Sequence, residues 1–307
     1  MQTAYITHPD CMLHEMGQWH PEQPARLDAI RDALHESQLM DYLFEYDAPL
    51  ATEQQILLAH SQEYINLLKR LSPTAGTIPI DPDTQMNCHT LQAAYRSAGA
   101  GISGIDLIMQ QEVKTVFCAV RPPGHHAERD RAMGFCFFNN VAIAARYALN
   151  HYDIKKLAIL DFDVHHGNGT EKILSDDPGI LICSTFQHPF YPAIPFESSN
   201  PLTVNAPLKA GSGSAEFRKS VEQLWVPAIN TFAPELILIS AGFDAHANDD
   251  MSDINLHTSD FKWVTDLIVS IADQHADGRI LSTLEGGYDL PSLGASVVAH
   301  IGSLAHF

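Results

Sequence analysis

Short apolar runs alternate with longer amphipathic segments along most of the chain. The apolar runs, bounded by turn residues, predict buried strands at 115–120, 157–161, 180–184, 235–240 and 279–284. Helical spacing of apolar residues predicts helices at 25–36, 61–71 (with Ser61 as N-cap), 90–110, 138–150, 214–230, 258–276 and 291–306. This alternation is typical of an α/β protein with a largely parallel sheet covered by helices. Without a linker or a repeat, a single domain over 1–307 is expected.

Unusual polar clusters follow the ends of these strands. The clusters are RPPGHHAERD at 121–130, DFDVHHGNG at 161–169, Ser184 with Thr185, AGFDAHAND at 241–249 and EGGYDL at 285–290. Ligands bind at the carboxyl ends of the strands in open parallel sheets. We therefore expect five separate segments to meet at one rim.

The loop that carries two adjacent histidines has a constrained backbone. Pro122, Pro123 and Gly124 exclude a regular strand or helix before His125 and His126. Neighbours in a strand point to opposite faces, whereas a loop can direct both imidazoles to one site.

Asp163, His165 and Asp244 form a candidate metal-binding set. The first two are two positions apart at a strand end, so both side chains can face the same way, and Asp244 follows another strand. Two carboxylates and one imidazole suit Zn²⁺ and leave a coordination position open, which is typical of a catalytic site. Fe²⁺, Co²⁺ and Mn²⁺ accept the same ligand types.

The composition narrows the classes of molecule that the protein is expected to bind. A net charge of −19 and a pI near 5.1 argue against nucleic acid and favour a cationic molecule or basic peptide, although acidic surfaces also serve solubility alone. The five cysteines form no CxxC pair, so no disulfide framework or zinc finger is expected. Without a signal sequence or an apolar run of about 18 residues, a cytoplasmic protein with no membrane segment is expected. A homo-oligomer is left open.

Five ordered segments carry a family resemblance over nearly the whole chain: HPDCMLHEMGQWHPEQPARL, RPPGHHAERDRAMGFCFFNNVAIAA, DFDVHHGNGT, AGFDAHANDD and LEGGYDL. They resemble the motifs of the zinc-dependent histone deacetylase family, above all its class II and bacterial amidohydrolase branches, which are related to acetylpolyamine amidohydrolases. The resemblance implies a three-layer arginase/deacetylase fold with a mostly parallel eight-stranded sheet. It also implies hydrolysis of an N-acetyl amide.

Carried over residue by residue, the resemblance assigns one Zn²⁺ to Asp163, His165 and Asp244 and a carbonyl-polarising hydroxyl to Tyr288. His125 and His126 match the tandem pair, with Asp161 expected to orient His125 and Asn168 to orient His126. A carboxylate partner favours an imidazolium more than an amide does. We therefore expect His125 to act through its charge and His126 to act as general base and then acid.

The resemblance also implies a monovalent cation, usually K⁺, beneath the zinc. Its implied ligands are Asp161, Asp163, His165, Ser184 and Thr185. The residues that match the substrate channel are Gly134, Phe135, Tyr191 and Gly287, whereas Phe137 and Phe138 are expected in the core.

Several positions depart from the family pattern or lie outside it. Relatives commonly continue Pro-Gly after the channel aromatic, whereas YPAIPF stands at 191–196. Asp81 and Asp83 are candidates for holding the substrate, although Asp beside Pro is common in turns. Other expectations are a rim loop at HEMGQWHPE (with His14, Glu15, His20 and Glu22), a packing role for His246, and surface positions for His151, His275 and His300.

Three functions are open from sequence. The first is a zinc amidohydrolase whose substrate is an acetyl-lysine peptide, an acetylpolyamine or another small amide. The second is a non-catalytic acyl-amine binding protein, which would be expected to have lost at least one of the site residues. The third is a two-metal, arginase-like ureohydrolase, which is disfavoured because 166–168 supply His, Gly and Asn where further acidic ligands would be required.

Overall fold

A parallel eight-stranded sheet forms the centre of the computed structural model, which describes residues 2–307. The strand order is β2-β1-β5-β10-β9-β6-β7-β8. The strands are β1 (Thr3–Thr7), β2 (Leu43–Asp47), β5 (Thr115–Cys118), β6 (Leu157–Asp161), β7 (Ile180–Gln187), β8 (Thr203–Leu208), β9 (Leu236–Ala241) and β10 (Ile280–Leu284). A separate antiparallel pair is formed by β3 (Thr77–Pro79) and β4 (Gln85–Asn87).

Helices cover the sheet and bury its apolar strands. They are α1 (Ala25–Glu36), α2 (Glu53–Ile56), α3 (Gln62–Leu71), α4 (Thr90–Met109), α5 (Asn140–His151), α6 (Asn168–Leu174), α7 (Ser214–Ser220), α8 (Val226–Phe232), α9 (Thr258–His275) and α10 (Leu290–Leu304). N-cap side chains mark the first residues of several helices: Ser61, Asn139 and Asp289 cap α3, α5 and α10. No helix formed by residues 2–307 has the length and hydropathy needed to cross a bilayer.

The predicted α/β architecture is confirmed, but the apolar pattern missed the elements that are polar or short. All residues of β5, β6, β9 and β10 are buried, and these strands were found. The edge strand β2 is largely exposed, and β8 contains Pro207, so neither stands out as an apolar run. The predicted helix at 214–230 is α7 and α8 joined by a π turn at Val221–Trp225.

The register brings the polar strand ends together. Asp161, at the end of β6, lies beside Ser184 of β7 and Ser240 of β9. The ends of β9 and β10 are neighbours in turn, through Ala241 and Leu284. The rim expected from parallel strands is therefore continuous from β5 to β7.

One expectation about the histidines is wrong. His300 of α10 is fully buried rather than on the surface. Its Nδ1 lies 2.7 Å from Oγ1 of Thr265 and its Nε2 lies 2.8 Å from Oγ of Ser282. The two hydroxyls satisfy both ring nitrogens, so a neutral imidazole is accommodated in the core.

Candidate metal centre and active site

Asp163, His165 and Asp244 meet at the rim with their side chains buried. Nδ1 of His165 lies 3.1 Å from Oδ1 of Asp163 and 3.1 Å from Oδ2 of Asp244. Zinc bonds of about 2.0–2.2 Å in tetrahedral geometry place ligand atoms roughly 3.3–3.6 Å apart. The three donor atoms, all within 4.8 Å of one another, therefore fit one such ion.

Main-chain amides orient the two carboxylates. Gly286 donates from its amide to Oδ2 of Asp163 at 2.8 Å, and Val164 donates to Oδ1 of Asp244 at 3.0 Å. A side chain at Gly286 would collide with both carboxylates, so the close approach requires glycine. Burial opposes charge on His165, but hydrogen bonds to Asp163 and Asp244 outweigh it and raise the pKa of His165. The same negative field favours a cation.

His125 lies between carboxylates beneath the pocket. Its Nδ1 is 2.9 Å from Oδ2 of Asp161, and its Nε2 is 3.7 Å from Oδ1 of Asp163. Burial alone lowers the pKa of His125, but the charges of Asp163 and Asp161 raise it well above 6.5. The neighbouring carboxylates therefore favour the protonated form of the ring.

His126, whose ring centroid is 4.1 Å from that of His125, is in the opposite state. Its Nδ1 is 2.8 Å from Oδ1 of Asn168, whose Nδ2 donates to Glu128. Since Oδ1 of Asn168 can only accept, Nδ1 of His126 carries the proton and Nε2 keeps a free lone pair. Burial and the positive charge of His125 hold the pKa of His126 well below 6.5.

Tyr288 supplies a hydroxyl to the same pocket. Burial raises the pKa of this phenol well above 10, so the hydroxyl stays protonated and can donate a hydrogen bond. The ring packs edge-on against Phe135 at 5.9 Å, and the guanidinium of Arg26 lies 4.9 Å above its centroid.

The pocket is a cavity of about 250 Å³ whose walls are mainly apolar. Gly134, Phe135 and Tyr191 line it as the sequence predicts, and Gly286 lines it rather than Gly287. Gly134 has a φ of +55°, and a side chain there would strike the ring of His126. Phe137 and Phe138 are buried in the core.

Three of the expected monovalent-cation ligands, Asp161, Ser184 and Thr185, lie on the neighbouring strands β6 and β7. Ser184 is the register partner of Asp161, and Thr185 follows it in β7. The hydroxyl of Ser184 is buried and forms no hydrogen bond with another described residue. An unpartnered oxygen beside a buried carboxylate is consistent with a cation ligand.

The segment expected as a rim loop is divided between the core and the rim. His14 and Glu22 are fully buried, and the carboxylate of Glu22 binds Arg26 and Arg121. Only His20 reaches the pocket mouth, where its ring packs 4.7 Å from that of Phe135. Glu22 and Arg26 are four residues apart, but Arg121 comes from a distant part of the sequence, so the buried cluster of all three was not visible.

Asp81 and Asp83 form a turn at the same mouth. Asp81 accepts a hydrogen bond from the amide of Asp83, as the turn interpretation expects, while Asp83 also lines the pocket. His246 packs on Phe261, His151 is exposed, and His275 is partly exposed.

Four residues of the site were missed from the sequence. Phe190 stacks on His165 at 5.5 Å, and Met251 lines the pocket. Glu285 accepts hydrogen bonds from the amides of Gly124 and His125, and burial raises its pKa to about 7. Asp249 binds the main chain of the tyrosine segment. Glu285 and Asp249 stand in the polar clusters at 285–290 and 241–249, and Phe190 lies beside Tyr191, so these three could have been found by position, whereas Met251 carries no local signal.

Comparison with known proteins identifies the class. The family model for the histone deacetylase domain matches residues 20–304. An uncharacterised protein of Synechocystis is 40% identical over 301 residues, which cover 96% of this chain and 97% of that protein. The histone deacetylase-like amidohydrolase of Pseudomonas aeruginosa is 32% identical over 92% of this chain and 77% of its own length.

A solved structure has the same fold. The crystal structure of the HDA15 HD domain superposes with a TM-score of 0.93 and 31% identity, covering 99% of this chain and 88% of that one. The chain belongs to the histone deacetylase family and has its arginase/deacetylase fold. It is therefore a deacetylase-type amidohydrolase.

Proposed function

We propose that the protein is a zinc-dependent hydrolase that removes an acetyl or similar acyl group from an N-acylated amine. One observation carries the proposal: His165 of the candidate metal-binding triad, the imidazole of His126 and the phenol of Tyr288 line the same pocket. When bound at Asp163, His165 and Asp244, zinc would polarise the acyl carbonyl and acidify water. Aspartate and histidine donors at the observed spacing support that assignment.

The side chains of the chain itself would move the protons. Nε2 of His126 accepts a proton from water as the water oxygen bonds to the acyl carbon. The same nitrogen then returns the proton to the amine as the C–N bond breaks, which releases the carboxylic acid and the free amine; in water these become the carboxylate and the ammonium ion. The hydroxyl of Tyr288 donates to the acyl oxygen as negative charge develops there. His125, held positive by Asp161, stabilises the negative charge without transferring a proton.

The shape of the pocket supports a slim substrate. Phe135, Phe190, Tyr191 and Met251 form apolar walls that suit the methylene stem of an acyl-lysine or an acylpolyamine. The net charge of −19 attracts either kind of cationic carrier. We further propose that Asp161, Ser184 and Thr185, with the main chain of Asp163 and His165, hold a monovalent cation such as K⁺.

The test is hydrolysis by the zinc-loaded protein of acetyl-lysine peptides and acetylpolyamines in parallel. Tyr288→Phe, which removes one hydroxyl and keeps the ring, is the control. We expect turnover of at least one substrate and a loss of about 10²–10³-fold in kcat in the variant. Turnover of both or of one reveals which carrier the pocket admits.

Failure of this test would direct attention to the two other functions. No turnover of acyl chains of any length, with tight binding retained, would leave a binding protein. Two metal ions per chain would indicate a ureohydrolase. A single group of three or more potential metal ligands is found among residues 2–307, which favours one ion.

A further inference from the structure

The segment that carries the catalytic phenol is held by two side chains from distant parts of the chain. Gly287, at φ +119°, turns the backbone between β10 and α10. Arg26 donates from Nε to the carbonyl oxygen of Gly287 at 2.6 Å. On the other side, Oδ2 of Asp249 accepts from the amides of Tyr288 at 2.6 Å and Asp289 at 3.1 Å.

Asp249 also binds the main chain of a residue in the pocket wall. Its Oδ1 accepts a hydrogen bond from the amide of Met251 at 3.1 Å. Met251 lines the cavity, and Asp249 itself is buried, with 5% of its surface exposed. One carboxylate therefore joins the tyrosine segment to the wall that Met251 forms.

The need to cap helix α10 does not explain the position of the Asp249 carboxylate. Asp289 is the N-cap of α10, and its own side chain accepts from the amide of Ser292. The helix thus has its cap without Asp249. What Asp249 adds is the position of the Tyr288 amide and, through it, of the phenol.

We propose that Asp249 is a positioning residue that holds Tyr288 and Met251 in register around the acyl group. The proposal rests on the hydrolysis proposed above. Three amides share the two oxygens of Asp249, so both oxygens must accept. An asparagine keeps the shape but turns one oxygen into a donor, which faces either the Tyr288 amide or the Met251 amide. Asp249→Asn therefore removes at least one of these three hydrogen bonds with little change in side-chain volume.

The first measurement does not depend on turnover. With 3-fluorotyrosine incorporated at Tyr288, ¹⁹F NMR reports the surroundings of the phenol directly. We expect the resonance to move or broaden in Asp249→Asn and to stay unchanged in Asp260→Asn. Asp260 is the matched control: a buried carboxylate that binds Arg218, Ser214 and the amide of His257. An unchanged resonance in Asp249→Asn would overturn the proposal.

The second measurement is kinetic, on the zinc-loaded protein. Asp249→Asn should lower kcat about 10- to 100-fold, because small displacements of a catalytic group are costly. KM should stay within about threefold and zinc content at one per chain. Added to Tyr288→Phe, the change should cost little more, since it acts through the missing hydroxyl. Independent, multiplying losses, or an equal loss in Asp260→Asn, would show a merely structural role.

The two proposals fail in different ways. A wild-type protein that hydrolyses no acylated amine contradicts the proposed function, while the ¹⁹F result still decides whether Asp249 positions Tyr288. If Asp249→Asn does not fold, Asp249→Ser takes its place in both measurements, because it keeps a single acceptor oxygen in a smaller side chain.

Discussion

Buried histidines occupy two regions of this protein, and the two regions treat them differently. Behind the sheet, His300 lies between hydroxyls and aromatic rings, and burial lowers its pKa to about 3. At the rim, His125 is just as buried, but neighbouring carboxylates raise its pKa. Burial alone favours the neutral ring, and only a carboxylate close by reverses that preference.

The same difference in pKa separates His126 from its neighbour His125. Its partner is the amide of Asn168, and its pKa falls as in the core. Two adjacent rings of the site therefore have pKa values shifted in opposite directions. In the proposed function, this difference would provide a charge stabiliser and a base side by side.

The largest effect is expected where the neutral ring is removed. His126→Ala should lower kcat by about 10³–10⁴-fold while zinc content stays at one per chain, because general acid–base transfer is lost. Steady-state kinetics with metal analysis would check this. If His126→Ala kept most of its turnover while His125→Ala was inactive, the assigned roles would be wrong.

A smaller effect is expected when the carboxylate partner is neutralised. In Asp161→Asn, the pKa of His125 should fall because one of the two neighbouring carboxylates is gone, with kcat lowered about 10- to 100-fold. NMR of the imidazole nitrogens would report the protonation state. A ring that stays charged in the variant would mean that Asp163 alone maintains it. Asp153→Asn, at an exposed salt bridge with Lys155, is a control.

The neutral core histidines should make the fold sensitive to acid. His60, also buried, has a pKa lowered to about 4, and His300 one of about 3, against about 6.5 when unfolded. The unfolded chain therefore binds more protons below pH 6.5. The stability these rings contribute is present above that pH and is lost as pH falls.

Between pH 7 and pH 5 each of these histidines should reduce the free energy of unfolding by about 2 kcal/mol. Urea unfolding across this range would measure the loss. His300→Gln should be less stable at pH 7 but lose less on acidification. A slope as steep as that of the wild type would contradict the assignment of His300 as neutral.

The smallest effect is expected at the pocket wall, where protonation is not involved. Phe135→Leu removes a ring that packs against Tyr288 and His20. KM should rise about 2- to 12-fold, the size of an aromatic contact, with kcat nearly constant. Kinetics at several pH values would check that the pH profile is unchanged. A shifted pH profile in Phe135→Leu would mean that this side chain affects the groups that titrate in the site.

Much of the fold could be predicted because its signals are local. Apolar strands such as 157–161 and 236–241 read as continuous runs, and the polar residues that follow them must lie at one edge if the strands are parallel. The family motifs then named Asp163, His165 and Asp244, which the structure brings within contact. Strands β2 and β8 were missed because edge strands are not enclosed on both sides, and the buried strand β1 was missed because only three apolar residues stand between its threonines.

The sequence by itself determined the alternation of central strands and helices, the rim and the residue types available there. Only the tertiary structure decided that Asp163 adds to the negative charge around His125, that Glu22 and His300 are buried, and that Asp249 binds the tyrosine segment. The physical reason is the range of the interactions. Periodicity and capping act between near neighbours in sequence, whereas a pKa or a buried hydrogen bond depends on groups that folding brings from distant positions.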